Sequence, residues 1–83
     1  SMNKWYVYIV ECADGSFYTG ISTDIQRRLL EHNYGSKSAK YTRSRRPVRL
    51  VWSIEVDNRS EASKEEYRIK RLKRKQKLEL IKS

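Results

Sequence analysis

Apolar residues recur at every second position in three stretches of this chain, and the parity of each stretch predicts which sheet face a side chain takes. Trp5-Tyr6-Val7-Tyr8-Ile9-Val10-Glu11-Cys12 is dense in aromatic and β-branched residues and is predicted as a strand. Ala13-Asp14-Gly15 follows as a turn, and Ser16-Phe17-Tyr18-Thr19-Gly20-Ile21 returns as a second strand. The length of the turn decides what shares a face. A two-residue loop sends Tyr8 and Tyr18 to opposite sides. A three-residue loop with Gly15 left-handed pairs Tyr8 with Gly20 and Tyr18 with Val10, so both phenols lie on one side. Trp5, Val7, Ile9, Phe17, Thr19 and Ile21 then form the other side, a better core surface, and the three-residue loop is favoured. Gly20 opposite Tyr8 is expected to leave open space beside its ring, where a substrate backbone could approach. Val48 to Val56 alternates cleanly as a third strand, with Val48, Leu50, Trp52, Ile54 and Val56 expected to be buried together.

Helical periodicity takes over between the strands. Ser22-Thr23-Asp24 supplies a cap for a helix running to about Asn33 and stopping near Gly35. At about 100° per residue, Ile25 and Leu29 form its buried side. Arg28 and His32 lie one turn apart on its edge, and Arg27 points away beside Leu30. Two such side chains, level with the strand that carries Tyr18, could hold one phosphate group between them, as half of a nuclease site. The ordinary alternative is a basic helix whose Arg and His are structural. A second helix is expected over roughly residues 60–72, capped by Asn58 with Glu61 or by Ser60 alone, with Ala62, Ile69 and Leu72 as its apolar positions. Glu65 and Glu66 flank the Ala62–Ile69 line. A carboxylate that close to a buried stripe is a boundary salt-bridge partner or a metal ligand, and periodicity does not choose between the two residues. Lys73 to Ile81 reads as a short final helix.

Residues 36–47 show no usable periodicity. They hold Lys37, Lys40, Arg43, Arg45 and Arg46 with Tyr41 and no acid, which reads as a mobile basic loop that settles on a phosphate backbone. The charge of the whole chain points the same way. Residues 1–36 carry three Lys or Arg against four Asp or Glu, whereas residues 37–83 carry sixteen against six, for a net +9. So one-sided a field implies a polyanionic partner, most simply nucleic acid. An anionic membrane surface ranks well below, because no basic helix has a clean face of large apolar residues.

Eighty-three residues, 37% hydrophobic and 35% charged, make one domain with a modest core, expected to span 3–83. Ser1 ahead of Met2 reads as a tag remnant. The single Cys12 has no internal partner, which with the absence of a signal-peptide pattern or a membrane-length apolar run favours the cytoplasm. No Cys/His spacing suggests zinc, so any metal is a hard cation held by carboxylate and water.

Taken together, Tyr6-Val7-Tyr8, Tyr18-Thr19-Gly20, Arg28, His32 and Glu66 resemble the GIY-YIG nuclease superfamily, within it the small stand-alone bacterial proteins of the YhbQ/YazA type. The likeness runs from Trp5 to Ile81 and includes Lys40-Tyr41-Thr42-Arg43. Tyr6 stands where the superfamily name has Gly, Val7 and Thr19 where it has Ile, and Ile21 where some repair relatives have a lysine. The resemblance implies an α+β fold: a three-stranded antiparallel sheet flanked by helices, in the order strand, strand, helix, strand, helix, helix. It implies a metal-dependent endonuclease that hydrolyses a DNA phosphodiester, with a role in repair or recombination. By the same resemblance Tyr8 is the general base, Tyr18 lines the site and positions the water, Arg28 binds the scissile phosphate, and His32 sits beside it. Glu66 is then the ligand of one Mg²⁺ or Mn²⁺ ion. Lys37, Lys40, Tyr41, Arg43, Arg45, Arg46, Lys70, Lys73 and Arg74 are the expected DNA contacts, with a monomer acting on branched, single-stranded or weakly selected DNA. The competing expectation is a basic nucleic-acid-binding module without catalysis.

Overall fold

The structure, a computed structural model, describes residues 4–83. Asn3, the expected start of the domain, and Ser1, expected to be a tag remnant, lie outside the described residues. Strands β1 (Trp5–Glu11), β2 (Phe17–Ser22) and β3 (Arg49–Val56) form one antiparallel sheet in the order β2-β1-β3. Helices α1 (Ile25–Tyr34), α2 (Lys40–Arg43), α3 (Arg59–Lys70) and α4 (Arg74–Lys82) complete the chain. The α+β architecture and the sheet are as the residues predicted, with one added helix.

The β1–β2 hairpin takes the three-residue loop. Gly15 has φ +84°, in the left-handed region that favours glycine, and Tyr8 pairs with Gly20 while Val10 pairs with Tyr18. The two faces divide accordingly. Val7 and Ile9 pack with Ala62 and Ile69 of α3 in one dry cluster, joined by Trp5, Phe17, Ile21, Val56 and the α4 residues Leu80 and Ile81. Tyr8, Val10, Cys12 and Val48 form the other cluster, joined by Tyr18, Ile25, Leu29 and Leu50.

The third strand departs from its sequence pattern. Ile9 pairs with Trp52 but Val10 pairs with Leu50, so Val51 is an extra residue, a β-bulge. Strict alternation placed Val48, Leu50, Trp52, Ile54 and Val56 on one side. The bulge instead sends Val48 and Leu50 to the α1 side, leaves Trp52 and Val56 on the α3 side, and leaves Ile54 40% exposed. One inserted residue thus lets a single edge strand serve both cores.

The caps follow local chemistry. Asp24 accepts from the Arg27 amide at 3.0 Å to start α1, and Asn58 accepts from the Glu61 amide at 2.9 Å to start α3. Leu72, expected in the same helix as Ile69, lies in the turn beyond α3. The Lys73 amide donates to Gln76 Oε1 at 2.8 Å, a backbone contact that starts α4 without a capping side chain on Lys73.

Residues 36–47 are not a free loop. They form α2, and three of their five cations bind the protein itself. Arg46 donates through Nε to the His32 carbonyl at 2.6 Å and through Nη2 to the Gly35 carbonyl at 2.5 Å, closing the C-terminal end of α1. Arg43 reaches the Ser38 carbonyl at 3.1 Å. Arg45 pairs with Asp14 at 3.0 Å and donates to the Tyr41 carbonyl at 2.9 Å, tying α2 to the hairpin turn. Helix C-termini and short turns leave carbonyls unpaired, and a guanidinium with five donors satisfies several at once. Asn33 does the same at the start of β3. Its amide donates to the Val48 carbonyl at 2.9 Å, and its oxygen accepts from the Val48 amide at 2.7 Å.

Candidate active site

The α1 face of the sheet carries a file of buried polar side chains. Tyr8 projects from the middle of β1 and is 2% exposed, and its hydroxyl lies 2.8 Å from His32 Nε2. Against the expectation of a helix-edge residue, His32 is 0% exposed, because α1 lies with this turn directly over the β1–β2 pair. Its other nitrogen, Nδ1, lies 2.8 Å from Thr42 Oγ1, and Thr42 donates to the Ala39 carbonyl at 3.1 Å.

Both titratable members are strongly perturbed. Burial pushes the Tyr8 phenol up to about 12, while the Arg28 guanidinium beside it pulls the other way and the Glu66 carboxylate adds a smaller push upward. Burial, reinforced by the charges of Arg28 and Arg46, lowers His32 to about 4, against a smaller upward pull from Glu31. At neutral pH the phenol keeps its proton and the imidazole is neutral.

The space expected beside Tyr8 is filled by Tyr8 itself. A Cβ at position 20 would run into the phenol hydroxyl and its ring carbon, so Gly20 is the recess in which the ring lies, not an open approach for substrate.

Tyr18 lies on the same face. Its ring meets His32 edge-on at 5.4 Å and stacks on Tyr41 at 6.1 Å and 21°. Arg45 covers the Tyr41 ring at 3.8 Å from its centroid. Arg28 is only partly exposed. Its guanidinium donates to Glu31 at 3.0 Å and to the Lys37 carbonyl at 2.8 Å, and it lies close enough to Tyr8 to act on the phenol. Tyr8, Tyr18, Arg28 and His32 are therefore neighbours, drawn from β1, β2 and α1.

Glu66 comes from α3, half-exposed, with Oε2 at 3.3 Å from Lys70 Nζ. Glu65 is held by Arg68 one turn on. The Glu66 carboxylate is among the charges that raise the Tyr8 phenol. Among the described residues no three His, Cys, Asp or Glu side chains converge into a metal cage.

The expected DNA contacts separate into two groups. Lys37, Lys40 and Tyr41 are exposed, and Lys40, Tyr41, Arg43, Ser44 and Arg45 line an open cleft of about 740 Å³ beside Tyr18. Arg46, as described, braces α1. Arg74 donates to the Gly15 carbonyl at 2.9 Å and lies over the Phe17 ring, joining α4 to the hairpin. Lys70 pairs with Glu66, and Lys73 is exposed at the start of α4. Sequence reasoning did not single out Thr42. Its signal was its place within Lys40-Tyr41-Thr42-Arg43, a stretch shared with the family but read there for its charge.

A family model described as the GIY-YIG catalytic domain matches residues 4–79. The chain belongs to the GIY-YIG family. This is a nuclease family that acts on DNA and generally uses divalent metal ions. A UPF0213 protein of Desulfotalea psychrophila is 58% identical over 79 residues, covering 95% of this chain and 72% of its own length. The solution NMR structure of a UPF0213 protein from Bacillus halodurans is 47% identical with a TM-score of 0.61, covering 95% of this chain and 83% of that one. The solution NMR structure of an E. faecalis protein is 44% identical with a TM-score of 0.65, covering 99% of this chain and 88% of that one.

Proposed function

We propose that this GIY-YIG domain is a metal-dependent DNA endonuclease whose base is the Tyr8–His32 pair. The observation that carries the reading is the 2.8 Å contact between the Tyr8 hydroxyl and a buried, neutral imidazole. A phenol held near 12 is a poor base by itself. One that hands its own proton to Nε2 while taking a proton from water is a relay. The attacking water's proton then ends on the Tyr8 oxygen and the former phenol proton on His32 Nε2. The new bond forms between water oxygen and phosphorus, and the leaving ester oxygen departs as an alkoxide that takes a proton from solvent. His32 thus acts from behind Tyr8 and not beside the phosphate.

Arg28 serves both partners of this relay. Its charge stabilises the phosphate as negative charge builds. A phosphate seated on it also cancels part of the positive field that holds His32 low, so substrate binding itself raises the basicity of Nε2. Tyr18, packed edge-on against His32, lines the site and orients the water. Glu66, a partly exposed carboxylate whose second oxygen is not held by Lys70, would hold a hydrated Mg²⁺ or Mn²⁺ as its one protein ligand. Such an ion supplies Lewis-acid stabilisation of the phosphate. Lys40, Tyr41, Arg43 and Arg45 at the open cleft, with the exposed Lys37, Lys70 and Lys73, carry the nucleic-acid backbone, while Arg46 and Arg74 keep those surfaces in place. The chain acts as a monomer on structured or weakly selected DNA, in repair or recombination, in the cytoplasm; no described helix is long and apolar enough to cross a membrane.

The test is nicking of supercoiled, branched and single-stranded DNA with Mg²⁺ or Mn²⁺, wild type against Glu66→Ala. Metal-dependent cutting that falls by about two to three orders of magnitude in the variant supports the reading. Equal DNA binding by both proteins with no cutting by either supports a binding module instead.

A further inference from the structure

The basic segment between α1 and β3 sends one side chain into the interior. Thr42 is the buried residue of α2 and has no exposed surface. A threonine hydroxyl has one proton, and here that proton is directed to the Ala39 carbonyl at 3.1 Å. With its proton on that carbonyl, the oxygen meets His32 Nδ1, 2.8 Å away, as an acceptor, and Nδ1 then carries the imidazole hydrogen. A neutral imidazole protonated at Nδ1 has its lone pair at Nε2. That lone pair faces the Tyr8 hydroxyl at 2.8 Å, so the phenol donates. The Ala39 carbonyl can only accept, and a Thr42 proton given to it sets the direction of every other hydrogen bond in the file. The opposite tautomer requires Thr42 to withdraw its proton from the Ala39 carbonyl and give it to Nδ1, and the phenol to accept from Nε2–H and turn its own proton elsewhere.

We propose that Thr42 is a positioning residue that locks His32 in its Nδ1–H tautomer and so keeps Nε2 open to receive the proton of Tyr8. The role of that tautomer in catalysis rests on the nuclease reading above; the lock itself does not. Thr42 touches no reacting atom and acts through His32. It also links the relay to the segment that carries Lys40, Tyr41 and Arg43, because the hydroxyl that fixes the tautomer belongs to the same helical turn.

A plain anchoring role for Thr42 makes the opposite demand on its side chain. Anchoring of α2 depends on shape and the methyl group, whereas the lock depends on the hydroxyl alone. Thr42→Val keeps the shape and removes the hydroxyl; Thr42→Ser keeps the hydroxyl and removes the methyl. The chain has one histidine, so its two ring nitrogens can be read without ambiguity by ¹⁵N NMR. Wild type and Thr42→Ser are expected to show a protonated Nδ1 and a bare Nε2, and Thr42→Val to shift toward Nε2–H. In nicking assays Thr42→Val is expected to lower kcat about 10²-fold with DNA affinity unchanged, and Thr42→Ser to stay within a few-fold of wild type. A wild-type protein with Nε2–H, or a Thr42→Val protein that keeps Nδ1–H, overturns the lock. So does a larger loss in Thr42→Ser than in Thr42→Val. If Thr42→Val does not fold, the wild-type and Thr42→Ser tautomers still decide. If no protein cuts DNA but the tautomers behave as stated, the lock stands and the nuclease reading falls; cutting with a tautomer indifferent to Thr42 gives the reverse.

Discussion

The two faces of the sheet bury similar strands by opposite means. Toward α3 and α4, Val7, Ile9, Ala62 and Ile69 have no exposed surface and no polar partner to satisfy, and rings and branched chains fill the gaps around them. Toward α1, the buried set includes Tyr8, His32, Ser38 and Thr42. Burial of such groups is costly unless each finds a partner, so their positions are fixed by hydrogen-bond geometry as well as by volume. Apolar packing is non-directional and tolerates small shifts, whereas a hydrogen-bond file specifies which atom faces which, down to the proton. The dry face holds the fold together; the polar face holds a chemical direction. The same three strands supply both because successive residues point to opposite sides.

That division can be broken most sharply at Tyr8. Tyr8→Phe keeps the ring in its recess and removes the proton-carrying oxygen, so the cleavage rate is expected to fall about 10²- to 10⁴-fold. Stability is expected to drop by about 1–3 kcal/mol, because buried His32 Nε2 loses its partner. Gly20→Ala should act in the same direction through geometry, because its Cβ displaces the phenol. Wild-type rates in Tyr8→Phe would sink the relay, and the assay is single-turnover cleavage of a labelled duplex.

On the dry face the expected effect is the converse. Ile69→Ala empties part of the α3 core and should destabilise the protein by about 2–5 kcal/mol in urea titration, with no change in rate per folded molecule. A rate loss under conditions where the variant is folded would show that the two faces are not separable.

The pH dependence of stability reads the polar face alone. His32 in the fold sits at about 4, below its ordinary 6.5, so between those values the unfolded chain binds more protons than the folded one. The stabilising contribution is complete above about pH 6.5 and is lost as pH falls toward 4, with a limit of about 3 kcal/mol for that gap. The urea midpoint should therefore fall on acidification, and the single His32 ring resonance should stay unmoved from about pH 8 to about pH 5.5. A titration midpoint near 6.5 would put the ring in water and refute the buried file.

The smallest effect is expected at Thr19, which faces the dry side next to Gly20. Its Oγ1 is buried without a partner. Thr19→Val removes that unpaired hydroxyl at constant shape and should leave stability unchanged or raise it by about 1 kcal/mol. A clear loss in calorimetry would mean that a water or neighbouring group satisfies the hydroxyl.

Much of this division was legible along the chain. The parity of β1 and β2 and the left-handed turn at Gly15 give the hairpin register, because a loop of defined length fixes which residues pair. Asp24 and Asn58 announce the helix starts because their side chains bond amides three residues away. The extra residue Val51 was not legible, since a bulge reads as ordinary alternation until the partner strand is known. Nor were the tasks of Arg46 and Arg74, whose charges predict a polyanion while their hydrogen bonds close the fold. At Glu65 and Glu66 the helix pattern was symmetric, and only the approach of α3 to the sheet sets Glu66 within electrostatic reach of Tyr8.

By itself the sequence determined what local chemistry determines: strands, turns, caps, the face assigned to each residue of the hairpin, and a charge distribution suited to a polyanion. The tertiary structure alone decided that His32 is interior, that Thr42 backs it, and that Arg28 stands near the phenol. Those contacts join residues far apart in the chain, and their meaning lies in burial. Burial moves a phenol to about 12 and an imidazole to about 4, and no reading of neighbours along the chain reports it.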